Sequence, residues 1–313
     1  MDQDLAKGML FDATELLNLA IISKRPVLIV EGIDDVPIYE RLASSVGVEC
    51  DVYASESLCK TREGCEGVID NIEDIRDVSE DIPVERYVLG IIDRDARFYR
   101  DEMAVDPAIF TLKYYSIESH YVNSCSTAYL IPFATRATDK LVDNNLVESV
   151  HRSIVPELDF LYYVSLEALR KACESEYKSE FGYKKSIKAI TNAGLHTAAL
   201  KKKDELDKFA DRLGLQNSME TLLKICKGKW IFEIYGDRLY DAIKKLPEQC
   251  KESRITQCQF CINGNPDAKK CLYHTPVFTS SDILRNQAWR NTDVRSLEYI
   301  KAKLAEFTAR IHN

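Results

Sequence analysis

The sequence predicts an α/β protein, an open parallel sheet with flanking helices followed by a mainly helical region that carries a small metal-binding loop. Three observations predict it. Short, nearly all-apolar runs alternate with amphipathic stretches up to Tyr115. Helical periodicity takes over after about residue 135. A turn-rich segment at 258–274 holds closely spaced Cys and His residues.

Residues 5–20 read as a short amphipathic helix. Pro26-Val27-Leu28-Ile29-Val30 is short, β-rich and apolar throughout, the pattern of a strand buried on both faces of a parallel sheet. It ends at Glu31-Gly32. Val36, Tyr39, Leu42/Ala43 and Val46 then recur at helical spacing, with Asp34 and Asp35 where carboxylates favour a helix start. Cys50–Ala54 is a second strand, and Val68, Ile69, Ile72, Ile75 and Val78 mark a second covering helix. Arg86–Ile92 is a third strand ending at Asp93-Arg94-Asp95, and residues 109–115 a fourth. Strand and helix in alternation give a parallel sheet. Helices are expected over Leu141–Val150, Leu158–Ala172, Ile187–Ala199, Leu206–Leu213 and Met219–Cys226. A closing helix carries the stripe Val294, Leu297, Ile300/Lys301, Leu304, Phe307/Thr308 and Ile311, a pattern that suits core packing or a partner face. The expected domains are 1–132 and 133–313.

Composition is that of a folded, charged globular chain. No apolar run reaches the roughly 18 residues that span a bilayer. The start MDQDLAKGML is acidic before any apolar stretch, the reverse of a signal peptide, so a cytoplasmic location without membrane attachment is expected. The net charge of −8 hides an asymmetry. Residues 1–150 hold 14 Lys+Arg against 29 Asp+Glu, and residues 151–313 hold 28 against 21. An acidic half suits a cation site and a basic half suits a phosphate backbone, although two differently charged solvated surfaces would look the same. Six cysteines are isolated (Cys50, Cys59, Cys65, Cys125, Cys173 and Cys226) and read as reduced thiols.

Acids stand at two strand ends: Glu31 after the first strand, Asp93 and Asp95 after the third. Ligands of doubly wound sheets bind outside the carboxyl ends of the strands, where strand order reverses. Carboxylates brought together there repel one another, and Mg²⁺, a hard cation that prefers oxygen ligands, relieves the repulsion. Each piece alone is an ordinary turn or a solvated loop acid. The combination of apolar strand, E-G-x-x-D, an αβ unit, apolar strand and D-x-D is more specific.

With those residues stated, a resemblance follows. Val27–Tyr39 resembles the first Toprim motif, and Ile91-Ile92-Asp93-Arg94-Asp95 the second. E-G-x-D-D-x-x-x-Y, D-R-D and Tyr114-Tyr115-Ser116-Ile117-Glu118 together are similar to the Toprim-like group labelled DUF4435. That group includes effector nucleases of the PARIS anti-phage system. The likeness covers about residues 25–122. It implies a Toprim-like catalytic sheet and a Mg²⁺-dependent nuclease (one or two ions) that cuts RNA, tRNA above all, as a toxic effector. It also implies an ABC-type ATPase sensor as partner and restrainer, and a homodimer when active. By the same resemblance Glu31 is the general acid/base and a Mg²⁺ ligand, Asp93 and Asp95 are ligands, and Asp35 and Glu118 are further candidate ligands. The chain departs from the pattern at Gly236-Asp237-Arg238, where related sequences often carry Gly-Lys. Arg238 is then a weaker phosphate contact.

Cys258-x-x-Cys261 and Cys271-x-x-His274, nine residues apart, have the form of a structural zinc site, with Cys250 able to replace His274. The turn-rich segment Ile262–Asp267 is expected to fold back and join the two pairs. Lys184, Lys185, Lys188, Lys201, Lys202 and Lys203 are candidate phosphate contacts, although such lysines are more often solvated helix faces. The competing readings are a DNA-directed, OLD-type Toprim nuclease and a non-catalytic Toprim-like interaction subunit.

Overall fold

The computed structural model describes residues 11–58, 62–264 and 267–312, and the side chains of these up to Ile311. Residues 5–10 of the expected first helix, Cys59, Asn265 and Pro266 lie outside the described residues. The chain is α/β, with four parallel strands and many helices, and it divides into two compact units. The first comprises residues 1–113 and 296–313, and the second residues 114–295.

In the first unit, helix α1 (Ala13–Ser23) opens on a capping box. The Asp12 side chain accepts from Glu15 N–H, and the Glu15 side chain accepts from Asp12 N–H. Strands β1 (Val27–Val30), β2 (Asp51–Ala54), β3 (Val88–Ile92) and β4 (Ile109–Thr111) line up in the order β2-β1-β3-β4, every neighbouring pair parallel. All residues of β1 and β3 are buried, as their continuous apolar runs require. Helices α2 (Val36–Ser45) and α3 (Gly64–Val78) cover the sheet. One apolar layer gathers Leu16, Val27, Ile29, Val68, Ile72 and Val88. Each such side chain removed from water stabilises by about 1.5–3 kcal/mol. Gly90 is the mid-strand residue under α3. A Cβ there would lie 2.7 Å from Val68 Cγ1 and 3.2 Å from Ile72 Cγ1, so only glycine allows this separation of helix and sheet.

The expected fourth strand, 109–115, is shorter in the structure. Pairing stops at Thr111, opposite the last residue of β3. The expected boundary at 132/133 also differs, because the closing helix belongs to the first unit and the second unit begins at Tyr114. Helix α14 (Glu298–His312) packs on α2, and Tyr299 meets Phe110 at 5.8 Å between ring centroids. Its stripe Ile300, Leu304, Phe307 and Ile311 is buried. Core packing, not a free partner face, accounts for that pattern.

The second unit contains α4 (Ser124–Ala134), α5 (Asn144–Ile154), α6 (Phe160–Cys173), α7 (Ile187–Asn192), α8 (Leu195–Lys201), α9 (Lys203–Arg212), α10 (Met219–Ile225), α11 (Gly228–Lys251), α12 (Gln259–Ile262) and α13 (Ser281–Ala288). The helix expected over 187–199 is two helices, parted at Gly194, whose φ of +67° no helix interior accepts. The longest helix, α11, was not anticipated. It packs against α5 and α13 and buries Trp230, Ile231, Tyr235, Leu239, Ile243 and Leu246.

Candidate active site and metal centre

Strand order decides the acidic site. Chain progression runs from β1 outward to β2, then returns to β3 on the other side of β1. The reversal falls between β1 and β3, and their carboxyl ends lie side by side there. The register pairs Val27 with Val88 and Ile29 with Gly90, so Glu31 leaves β1 level with the end of β3. Glu31 Oε1 accepts a hydrogen bond from the Asp93 backbone N–H at 2.8 Å. The two expected strand ends therefore meet through the residues that the sequence singles out.

The backbone of Glu31 is held as firmly as its side chain. Its carbonyl accepts from Gly64 N–H at 3.0 Å and from the buried Ser55 hydroxyl at 3.0 Å. Ser55 also reaches Arg62 O at 2.9 Å, while Asn71 Nδ2 donates to Ser55 O at 3.3 Å. Glu56 Oε1 accepts from Ile33 N–H at 3.0 Å, tying the turn after β1 to the end of β2. Asp35 is the N-cap residue of α2, but its side chain makes no capping bond there. The nearest listener to these charges is Tyr39, a buried phenol whose pKa is pushed well above its ordinary value. Burial is the largest cause, followed by the negative charges of Asp35 and Asp93, and Glu31 contributes as well. Three of the five expected acids, Glu31, Asp35 and Asp93, thus contribute to the raised pKa of this one phenol.

Asp95 departs from extended geometry. Its φ of 28° is sparsely populated for a residue with a Cβ and costs on the order of 1–3 kcal/mol. The turn is held by Asp95 Oδ1, which accepts from Arg97 N–H at 2.6 Å. Arg97 Nη2 in turn lies 3.0 Å from Glu66 Oε1. The Cys65 thiol sits in this neighbourhood and is pushed up to about 12, chiefly by burial and then by the Glu31 charge. Ser55, Glu56, Gly64, Cys65, Glu66 and Arg97 are the site neighbours that sequence reasoning missed. Only the helix-start glycine and the arginine so soon after D-R-D were signals that could have found them.

Glu118 belongs to the second unit. Its carboxylate accepts from the Ser116 hydroxyl and lies at the first residue of α11, where a Cβ on Gly228 would be 2.7 Å from Glu118 Oε2 and 1.8 Å from Ser116 Oγ. A carboxylate at the N-terminus of a long helix is favoured by its dipole.

The cysteine cluster also differs from expectation in one ligand. The sulfurs of Cys250, Cys258, Cys261 and Cys271 all lie within 4.8 Å of one another. Cys250, from the last turn of α11, stands where the expected set has His274, which is not part of this group among the described residues. Cys258 caps α12, its N–H lies 3.3 Å from Cys250 Sγ, and its sulfur is 3.9 Å from that of Cys271. A tetrahedron of sulfurs with Zn–S of about 2.3 Å has edges of about 3.8 Å. Four soft donors at this spacing fit a metal ion such as zinc. Burial alone would raise the Cys258 thiol, but N–H groups of Leu272, Cys261 and Phe260 outweigh it and bring Cys258 down to about 7. Burial pushes Cys250 up to about 12. Tyr273 pins the loop by donating to Leu141 O at 2.8 Å and Thr256 O at 3.0 Å.

The expected phosphate-binding cations separate into two groups. Lys188 pairs with Glu233 at 2.9 Å, Arg238 with Glu157 at 2.9 Å, and Lys202 with the buried Glu167 at 2.9 Å. These three are spent on local carboxylates. Lys184, Lys201 and Lys203 are exposed, and Lys185 is half-buried. Among the described residues, no helix is long and apolar enough to cross a membrane. In comparisons with known proteins, no family model matches the chain, and no curated protein matches it either.

Proposed function

We propose that the first unit is a Toprim-like catalytic domain, and that the chain is a Mg²⁺-dependent nuclease that cuts RNA, tRNA above all. The observation that carries this reading is the meeting of Glu31 with the Asp93 backbone at the sheet's switch point. A binding module has little use for mutually repelling acids at that place. A phosphodiesterase uses them to hold a cation and move a proton.

Glu31, Asp35, Asp93 and Asp95 are the residues of the first unit that would hold Mg²⁺. Bound Mg²⁺ would supply positive charge for the phosphate oxygens and lower the cost of the charge that builds on them. Glu31 takes or returns the proton of the attacking or leaving oxygen. Its Oε1 is tethered to Asp93 N–H, which aims the carboxylate. Tyr39 stays protonated beside these charges. The four cysteines hold a structural zinc, since four protein ligands leave no open position. The resemblance to anti-phage effectors supports the role of a toxic effector restrained by an ABC-type ATPase and active as a homodimer.

The test is to incubate the purified chain with total tRNA, ribosomal RNA and plasmid DNA, with Mg²⁺ or EDTA, beside Glu31→Ala. Mg²⁺-dependent cutting of tRNA, lost in the variant, is the expected result. Cutting of DNA alone would replace this reading with an OLD-type nuclease. Silence on all three, persisting after the ATPase and its trigger are added, would leave an interaction subunit.

A further inference from the structure

The segment Arg94–Arg100 starts within the acidic site and leaves it as a short 3-10 helix, Ala96–Arg100. It brings three arginines and two aromatic rings to the same sheet edge as the acids, in a half of the chain otherwise poor in cations. Their arrangement is not that of a core element. Phe98 is 40 % exposed, and the Arg94 guanidinium carbon sits 3.2 Å from its ring centroid. Tyr99 meets Phe98 edge to face at 5.3 Å. The ring thus has a cation over it and an aromatic neighbour against it, and the residue still keeps 40 % of its surface open to solvent.

Along the chain Arg97 stands between Asp95 and this ring. Its backbone N–H holds Asp95, and its Nη2 pairs with Glu66. Arg94 Nε is buried with no hydrogen-bond partner among the described residues, and Arg97 Nη1 is buried with no oxygen or nitrogen acceptor, the guanidinium having only the weakly accepting Cys65 thiol beside it. A buried guanidinium N–H without an acceptor is costly, and an anionic oxygen is the acceptor such forks fit best. A phosphate on the acidic site would bring that oxygen. The open face of a supported aromatic ring, one turn further on, is what an unstacked base needs.

The geometry points to Arg94–Arg100 as a substrate grip: Arg97, helped by Arg94, donates to a phosphate oxygen beside the acids, and Phe98 stacks an unpaired base of single-stranded RNA. This rests on the nuclease reading and sharpens it. The substrate class becomes an RNA loop or end with splayed bases, not a continuous duplex. It also moves the phosphate contact away from Lys188, Lys202 and Arg238, whose charges are already paired.

Binding is measured apart from cleavage, using Glu31→Gln protein in Ca²⁺ and a fluorescent RNA hairpin with an unpaired loop followed by anisotropy. Phe98→Ala in this background is expected to raise the Kd about tenfold, the size of one lost stacking contact, while Phe98→Tyr keeps it within about twofold. Arg97→Gln is expected to raise the Kd and to reduce the salt slope by about 1. Circular dichroism excludes unfolded variants. RNA cutting by the wild-type chain, with both variants binding like their parent, overturns this inference and leaves the nuclease reading intact. No cutting even after the ATPase and its trigger are added, with RNA bound in a Phe98-dependent way, keeps the contact and ends the nuclease reading. Absence of RNA binding by the parent overturns the inference.

Discussion

Replacing Lys202 by Met removes one partner of a buried carboxylate. The Glu167 side chain is 1 % exposed and accepts from Tyr177 Oη at 2.5 Å, Ser179 Oγ at 2.8 Å and Lys202 Nζ at 2.9 Å. Stripping the partner from a buried charge costs about 3–5 kcal/mol. Two neutral donors remain and Lys202 itself is 29 % exposed, so the low end, about 3 kcal/mol, is expected. That is a large share of the ordinary 5–15 kcal/mol of a folded domain. Urea unfolding followed by the fluorescence of Trp230, buried in the same unit, reads it, with the exposed Lys203→Met as control at under about 0.5 kcal/mol. The pH profile adds a sign. Burial pushes the Glu167 carboxyl up, but the bonds from Tyr177, Lys202 and Ser179 outweigh it and hold the group below its usual range. Its contribution is therefore present above the unfolded carboxylate value of about 4.3 and is lost as pH falls through the folded one. In Lys202→Met burial prevails and the folded value rises, so the deficit against wild type shrinks as the pH is lowered from 7. A variant as stable as wild type, with RNA affinity down tenfold, would refute this reasoning and return Lys202 to the phosphate contacts.

The remaining predictions concern the two sites. Glu31→Gln should lower kcat on RNA by about 10²–10⁴-fold, with unfolding unchanged within about 1 kcal/mol, measured by single-turnover cleavage and urea melts. Ser55→Ala removes the hydroxyl that binds the carbonyls of Glu31 and Arg62, and should cost about 1–3 kcal/mol; kcat should fall while KM stays put, because Glu31 loses its anchor. Metal analysis of purified protein should find about one zinc per chain, halved or worse in Cys250→Ser and unchanged in His274→Ala; equal loss in both would reinstate His274 as a ligand. Gly90→Val should destabilise by about 1–3 kcal/mol in thermal melts, because even its Cβ would press on Val68 and Ile72.

Several features could be read along the chain because they depend on near neighbours. Continuous apolar runs marked β1 and β3, since a strand buried on both faces cannot alternate. The acids that follow those runs were visible for the same reason, and so were the clustered cysteines, Cys250 as the alternative to His274. Helix α11 was obscured by Gly228, Gly236 and Pro247 and by its mixed polar pattern, and its burial comes from neighbours distant in sequence. Asp93 meets Glu31 because β3 pairs with β1, a choice made by the whole sheet. Lys202 and Arg238 read as free cations until Glu167 and Glu157 arrive from other helices. Cys250 reaches the cluster only because the end of α11 turns its sulfur toward Cys258, and the closing stripe finds its core in the first unit, far away along the chain. The sequence by itself determined the local elements and the chemical types at their ends. The tertiary structure decided which charges are paired, which sulfurs meet and which strand ends lie side by side, because each depends on long-range contacts that periodicity and spacing do not encode.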